Sequence, residues 1–204
     1  MTLKFGPLGE TTMHLCVDMQ RMFAEETEWH TPWMDRVTPQ VVAITERHPT
    51  HTAFTRFIPL RDADDGHGTW RRYYERWPTM TLNALPDGMI DLIPALQRFA
   101  PPAWIIDKRH YSPWPVTELH PRLRQSGIDT LVISGGETEV CVMATMIGAI
   151  DLGYRVILAT DALCSSADET HDAMMRIYES RFGMQMETAT TEEILDSWPT
   201  RGTP

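Results

Sequence analysis

No stretch of the chain approaches the ~18 consecutive apolar residues that a membrane-crossing helix needs, and the opening MTLKFGPLGETTMHL has no sustained apolar run behind a basic start, as a secretory signal would. The expectation is a cytoplasmic protein without a membrane partner. Positive charge is scarce too: 18 Lys and Arg stand against 28 Asp and Glu, a formal net charge of −10, which disfavours a nucleic-acid backbone as partner. Cysteine is limited to Cys16, Cys141 and Cys164, an odd number without CxxC spacing in a chain large enough to need no staples. A disulfide framework is therefore not expected, and any one of the three is free to be a reactive thiol. No GxGxxG follows the first apolar run, which argues against a dinucleotide site, and internal repeats and low-complexity segments are missing. Apolar and aromatic material, in contrast, is ample: 42% of 204 residues are hydrophobic, with seven Trp, six Phe and five Tyr, enough for one domain, 1–204, with a real core.

Strand-like and helix-like stretches alternate. Short apolar runs at 14–18 (HLCVD), 52–55 (TAFT), 103–106 (AWII), 130–134 (TLVIS) and 155–159 (RVILA) read as strands, with a further short one near 184–187. Helical spacing covers 37–47 after Pro39, 92–98, 116–126 with a Gly127 stop, 139–152 closed by Gly153, and 167–178. Continuous apolar strands between helices predict an α/β fold, a three-layer αβα sandwich around a mostly parallel, Rossmann-like sheet. The polar, aromatic-rich stretch at about 59–88 lacks core periodicity and reads as a long decorated loop.

In such sheets ligands sit beyond the carboxyl ends of the strands, and three chemically capable residues fall there. Cys141 opens the most apolar helix of the chain, where the positive end of the helix dipole lowers a thiol's pKa; it reads as a nucleophile or as a small buried hydrophobe. Lys108 follows AWIID and is either a cation beside that thiol or an exposed loop lysine. Asp18 ends HLCVD and is either a general base or a helix cap. The backbone N–H groups of Val140 and Cys141, unpaired at a helix start, are candidates for an oxyanion hole.

These residues stand in DMQRMF (Asp18, Gln20, Phe23), DKRHYS (Lys108, Tyr111, Ser112) and GGETEVCV followed by AIDLGYRVILATDALCSS. With them the chain resembles the isochorismatase-like cysteine hydrolases, a family including nicotinamidases, N-carbamoylsarcosine amidases, biuret hydrolases and ureidoacrylate amidohydrolases, over about 12–193. The resemblance implies an Asp18, Lys108, Cys141 triad, a cis peptide at Gly136–Glu137 and assembly as a homodimer or homotetramer. It also implies hydrolysis of a C–N bond in a small amide, carbamoyl or urea-like substrate through a thioester acyl-enzyme.

Departures from the family narrow this. The Asp-x-His pair by which nicotinamidases hold a metal is missing from THTAFTRFIPL, and DADDGHG places Gly66 where a calcium loop needs an oxygen, so neither metal nor cofactor is expected. Family members that act on isochorismate commonly lack the cysteine that this chain keeps. Glu137 replaces a small residue common in nicotinamidases and is placed either to accept hydrogen bonds from an amide, urea or cationic substrate or to pair with a loop arginine. Arg56 is placed to meet a substrate carboxylate or Glu137, or is a solvated strand end. Phe23, Trp70, Tyr74, Trp77 and Tyr111 are candidate pocket walls, and Cys16 and Cys164 are structural. Two competing readings stay open: an isochorismatase-type ether hydrolase, and a non-catalytic small-molecule binding protein on the same scaffold.

Overall fold

The structure is a computed structural model that describes residues 3–200. Strands β1 (Thr12–Val17), β2 (Thr52–Phe57), β3 (Trp104–Lys108), β4 (Thr130–Gly136), β5 (Arg155–Cys164) and β6 (Met186–Ala189) form one sheet in the order β3-β2-β1-β4-β5-β6. Every adjacent pair is parallel. Among the described residues, eight α-helices connect or flank them: α1 (Arg21–Ala24), α2 (Met34–Arg47), α3 (Thr69–Arg76), α4 (Pro94–Gln97), α5 (Leu119–Gln125), α6 (Met143–Asp151), α7 (Asp168–Phe182) and α8 (Thr191–Ser197). The α/β, three-layer arrangement expected from the alternation is the one observed.

The two faces of the sheet follow from the two-residue period of a strand. Cys16, Phe54, Val132 and Ile157 point to the side covered by α2, α4 and α8, packing on Val41, Ile44, Leu96 and Ile194. Leu15, Val17, Leu131, Ile133, Val156 and Leu158 point to the other side, against Leu123 of α5, Met146 of α6 and Tyr178 of α7. Both faces being covered explains why these strands read as unbroken apolar runs. The chain winds outward from β1 to β3, then returns to start again at β4 beside β1. The carboxyl ends of β1 and β4 thus flank a topological switch point, the standard ligand position of such a sheet.

Several boundaries differ from the sequence reading. Helix α2 starts at Met34 and includes Pro39, early enough that the missing N–H forfeits only its bond to Asp35. Strand β5 runs ten residues to Cys164, past a register shift at Ile133/Gly135 that lets it follow the bent end of β4. The stretch 59–88 is not structureless: it holds α3 and short 3-10 turns at Ala63–Asp65 and Pro78–Met80. Helix α8 was not expected at all, although a Thr190–Glu193 capping box marks its start.

Candidate active site

Asp18 is the first residue past β1 and the only non-glycine described with positive φ, at 51°. Its backbone N–H donates to the carbonyl and hydroxyl oxygens of Thr55 on β2, both at 3.2 Å, while the Thr55 hydroxyl donates to Asp18 Oδ1 at 2.6 Å. Lys108, last in β3, reaches back across β2: its Nζ donates to Asp18 Oδ2 at 2.6 Å and to the His110 carbonyl at 3.1 Å, and lies 5.3 Å from the centre of the Phe57 ring. Both charged side chains are sealed, with 0% and 1% exposure. Burying one such charge alone is prohibitive, whereas a hydrogen-bonded pair is tolerated. Burial would push the Lys108 ammonium down, but Asp18 and Cys141 more than offset it and the net direction is up.

Cys141 enters from β4. A methyl group at Gly135, where φ is 100°, would lie 2.1 Å from the Val17 carbonyl oxygen, and one at Gly136 would lie 2.7 Å from Cys164 Sγ; only glycines let β4 run this close to β1 and β5. The Gly136–Glu137 peptide is cis, and a π-helical turn, Thr138–Val142, then leads into α6. This turn is braced from behind. Thr138 donates its hydroxyl to the Cys164 carbonyl at 3.1 Å, so the bond at 2.9 Å between Thr138 and His171 Nδ1 makes the imidazole the donor. Tyr178 donates to the Thr138 carbonyl.

Two expectations about the cysteine are corrected. Burial pushes the Cys141 thiol up, Lys108 opposes this, and the Asp18 carboxylate adds to it; the helix start does not make it a free low-pKa thiol. The Val140 N–H is also not free, since it donates to the Glu137 carbonyl at 3.0 Å, as does the Val142 N–H at 3.1 Å. Val140 serves an oxyanion only if that bond is surrendered, which leaves the Cys141 N–H as the remaining backbone candidate.

Cys141, 7% exposed, forms part of the wall of a pocket of about 350 Å³ with Phe23, Glu28, Trp29, His30, Phe57, Tyr73, Trp77, Tyr111, Glu137, Val140 and Ser166. Of the expected wall residues, Phe23, Trp77, Tyr111 and Glu137 are present. Tyr74 is not, because α3 turns it into the interior, where it is 1% exposed, and its neighbour Tyr73 takes the wall position. Trp70 stands one layer back, with its ring 5.2 Å from Tyr111. Arg56 is held away from the pocket by Asp107, at 2.7 and 2.9 Å, and by Asp91 at 3.3 Å. Glu137 accepts from the Ser166 N–H at 3.2 Å, and no arginine pairs with it among the described residues. Glu28, Trp29 and His30 were missed; they lie in a polar stretch without periodicity, and only the fold brings it over the site. Gln20, noted in sequence without a role, ties strand ends together by donating to the Phe57 and Ile90 carbonyls and accepting from the Phe57 N–H. Among the described residues no three His, Cys, Asp or Glu side chains are grouped to hold a metal, and no helix is long and apolar enough to cross a membrane.

Comparison with known proteins identifies the family. The chain is 27% identical over 161 residues to the uncharacterized isochorismatase family protein YwoC of Bacillus subtilis (strain 168), covering 79% of this chain and 82% of that one. It is 27% identical over 179 residues to an N-carbamoylsarcosine amidase of an Arthrobacter species, covering 82% and 64%. It is 26% identical over 178 residues to nicotinamidase 3 of Arabidopsis thaliana, covering 85% and 83%. In fold it resembles a solved cysteine hydrolase from Pseudomonas syringae pv. phaseolicola 1448A, with a TM-score of 0.78, 23% identity and 95% of each chain covered. The isochorismatase domain matches residues 12–190, and the chain belongs to the isochorismatase family.

Proposed function

We propose that this protein is a cysteine-dependent hydrolase that cleaves a C–N bond of a small amide, carbamoyl or urea-like molecule through a thioester. One observation carries the reading: a carboxylate and an ammonium, joined at 2.6 Å and closed to solvent, both act on a thiol that opens into a pocket. Relatives named as amidase and nicotinamidase support it.

The buried trio holds one cation and one anion, with one mobile proton that either Cys141 or Asp18 carries. Loss of that proton to water is opposed by burial, but its transfer from sulfur to Asp18 keeps the site's net charge unchanged, so substrate docking rather than solvent triggers the thiolate. The thiolate then attacks the substrate carbonyl carbon. Negative charge develops on the carbonyl oxygen, within reach of a backbone N–H at the helix start. The C–N bond breaks as Asp18 returns its proton to the leaving nitrogen. A water molecule, deprotonated by Asp18, hydrolyses the thioester and restores the thiol. Lys108 keeps a positive charge against whichever partner is anionic.

Intact-protein mass after incubation with a panel of small amides tests this. The expected result is an acyl adduct mapped to Cys141 and loss of turnover in Cys141→Ala. Full activity of Cys141→Ala would overturn the thioester and favour ether hydrolysis, which needs no thiol.

A further inference from the structure

The reacting end of the pocket is electrically closed, since Lys108 and Asp18 neutralise one another. The formally charged residues that line the pocket are both acidic, Glu28 and Glu137, with His30 beside them and no lysine or arginine. Arg56, expected from sequence to meet a substrate carboxylate, is instead held by Asp107 and Asp91. Arg76 stacks on Trp77 at 4.3 Å without itself lining the pocket.

Each of the two carboxylates accepts one hydrogen bond. Glu28 accepts the hydroxyl of Thr79, and Glu137 is steadied through one oxygen by the Ser166 N–H; a carboxylate has lone pairs for further donors. Aromatic side chains line the same pocket, with the Trp29 and Tyr73 rings 5.6 Å apart and Phe23 stacked on Trp29 at 6.1 Å. Ring faces and carboxylates together make an environment that attracts cations and repels anions. Burial pushes the Tyr111 hydroxyl on the same wall up, and the Cys141 sulfur and the Glu137 carboxylate push it in the same direction, with Tyr73 and Lys108 opposing. The chain's net charge of −10 adds a long-range field of the same sign.

We propose that this pocket selects a small amide whose far end is positively charged, an ammonium, guanidinium or quaternary ammonium group held by Glu28 and Glu137 against the faces of Trp29 and Tyr73. The proposal rests on the hydrolase reading for which end reacts, while the charge preference stands on the pocket walls alone.

The test is equilibrium binding to Cys141→Ser by calorimetry at pH 8, where an ordinary imidazole is neutral, with three probes of matched size: 4-aminobutanamide, pentanamide and glutaramate. The expected order is cation, neutral, anion, with the cation at least about ten-fold tighter than the anion. Glu28→Gln and Glu137→Gln should each shrink that ratio, and the double variant should nearly abolish it. Equal affinities, tighter glutaramate, no binding of any probe, or a ratio unmoved in the double variant would overturn the proposal. Mass measurement on the wild type separates the two claims: preferential binding of the cation without any adduct on Cys141 removes the hydrolase reading and leaves the charge preference standing.

Discussion

Lys108 Nζ stands 2.6 Å from Asp18 Oδ2, and neither side chain is open to solvent. Such a pair makes the two residues hostages to each other, because removing either strands the other as a buried charge. Asp18→Asn is therefore expected to lower activity by ~10²–10⁴ and also to cost ~3–5 kcal/mol of stability. The double variant Asp18→Asn, Lys108→Met should recover much of the stability, since no charge is then left buried, without recovering turnover. Urea unfolding and steady-state kinetics on the wild type and the two variants check both halves; a double variant as unstable as the single would show that the pair is not energetically coupled.

The thiols differ by access more than by chemistry. Burial pushes Cys16, Cys141 and Cys164 all upward, but Cys141 faces the pocket while the other two are at 0% exposure. Iodoacetamide at pH 8 should therefore label Cys141 first, and its rate should climb with pH past the ordinary thiol midpoint of ~8.5 rather than level off below it. Peptide mapping over time gives the order; equal rates at the three positions would remove Cys141 as the accessible nucleophile.

The parallel sheet and the neighbourhood of Asp18, Lys108 and Cys141 were legible in the chain because they depend on local pattern: apolar runs that end in Asp18 and in Asp107–Lys108, and a third that ends in Gly135–Gly136 just before the helix start at Cys141. The pocket walls were legible only in part. Tyr73 and Tyr74 are adjacent on the aromatic face of α3 that Trp70 and Trp77 share at helical spacing, and which of the two lines the site depends on how that face is seated against the sheet, which the helix's own sequence does not encode. Glu28, Trp29 and His30 reach the site through a loop whose path is set by contacts such as Trp29 against Phe57 at 5.9 Å, which no local spacing encodes. The direction of the Cys141 shift was misread for a related reason: the helix start is visible in sequence, but the depth of burial is not, and burial dominates.

Gly135 should be nearly irreplaceable. A methyl group there meets the Val17 carbonyl oxygen at 2.1 Å and its nitrogen at 2.7 Å, at a φ of 100°, and Val17 lies on a central strand that cannot retreat. Gly135→Ala should cost more than ~4 kcal/mol or leave the protein insoluble. Gly127→Ala is the control: φ is 70° but nothing lies within 4 Å, so only the left-handed backbone opposes the methyl group, at ~1–2 kcal/mol. Thermal unfolding of the two proteins side by side checks the difference, and similar losses would mean that the close approach of β4 to β1 is not rigid.

His14 makes stability depend on pH from within the core. It is fully buried on β1, with Nε2 2.7 Å from the Ser134 hydroxyl and Nδ1 3.4 Å from that of Thr45, and burial, aided by His48, pushes it down to about 3. The folded protein thus keeps His14 neutral where the unfolded chain begins to protonate it, below ~6.5. Between these limits the unfolded state binds more protons, so stability falls as pH falls, by ~1.4 kcal/mol per unit once well below 6.5. His48, pushed down to about 4 chiefly by burial, acts in the same direction. His14→Gln should be less stable than wild type at pH 8, because a longer side chain cannot reproduce both hydroxyl contacts. Its stability should nevertheless fall less between pH 8 and pH 5, by about 2 kcal/mol relative to wild type. Urea unfolding at a series of pH values measures the slope, and a variant with the wild-type slope would show that His14 takes up its proton as readily in the folded core as in the unfolded chain.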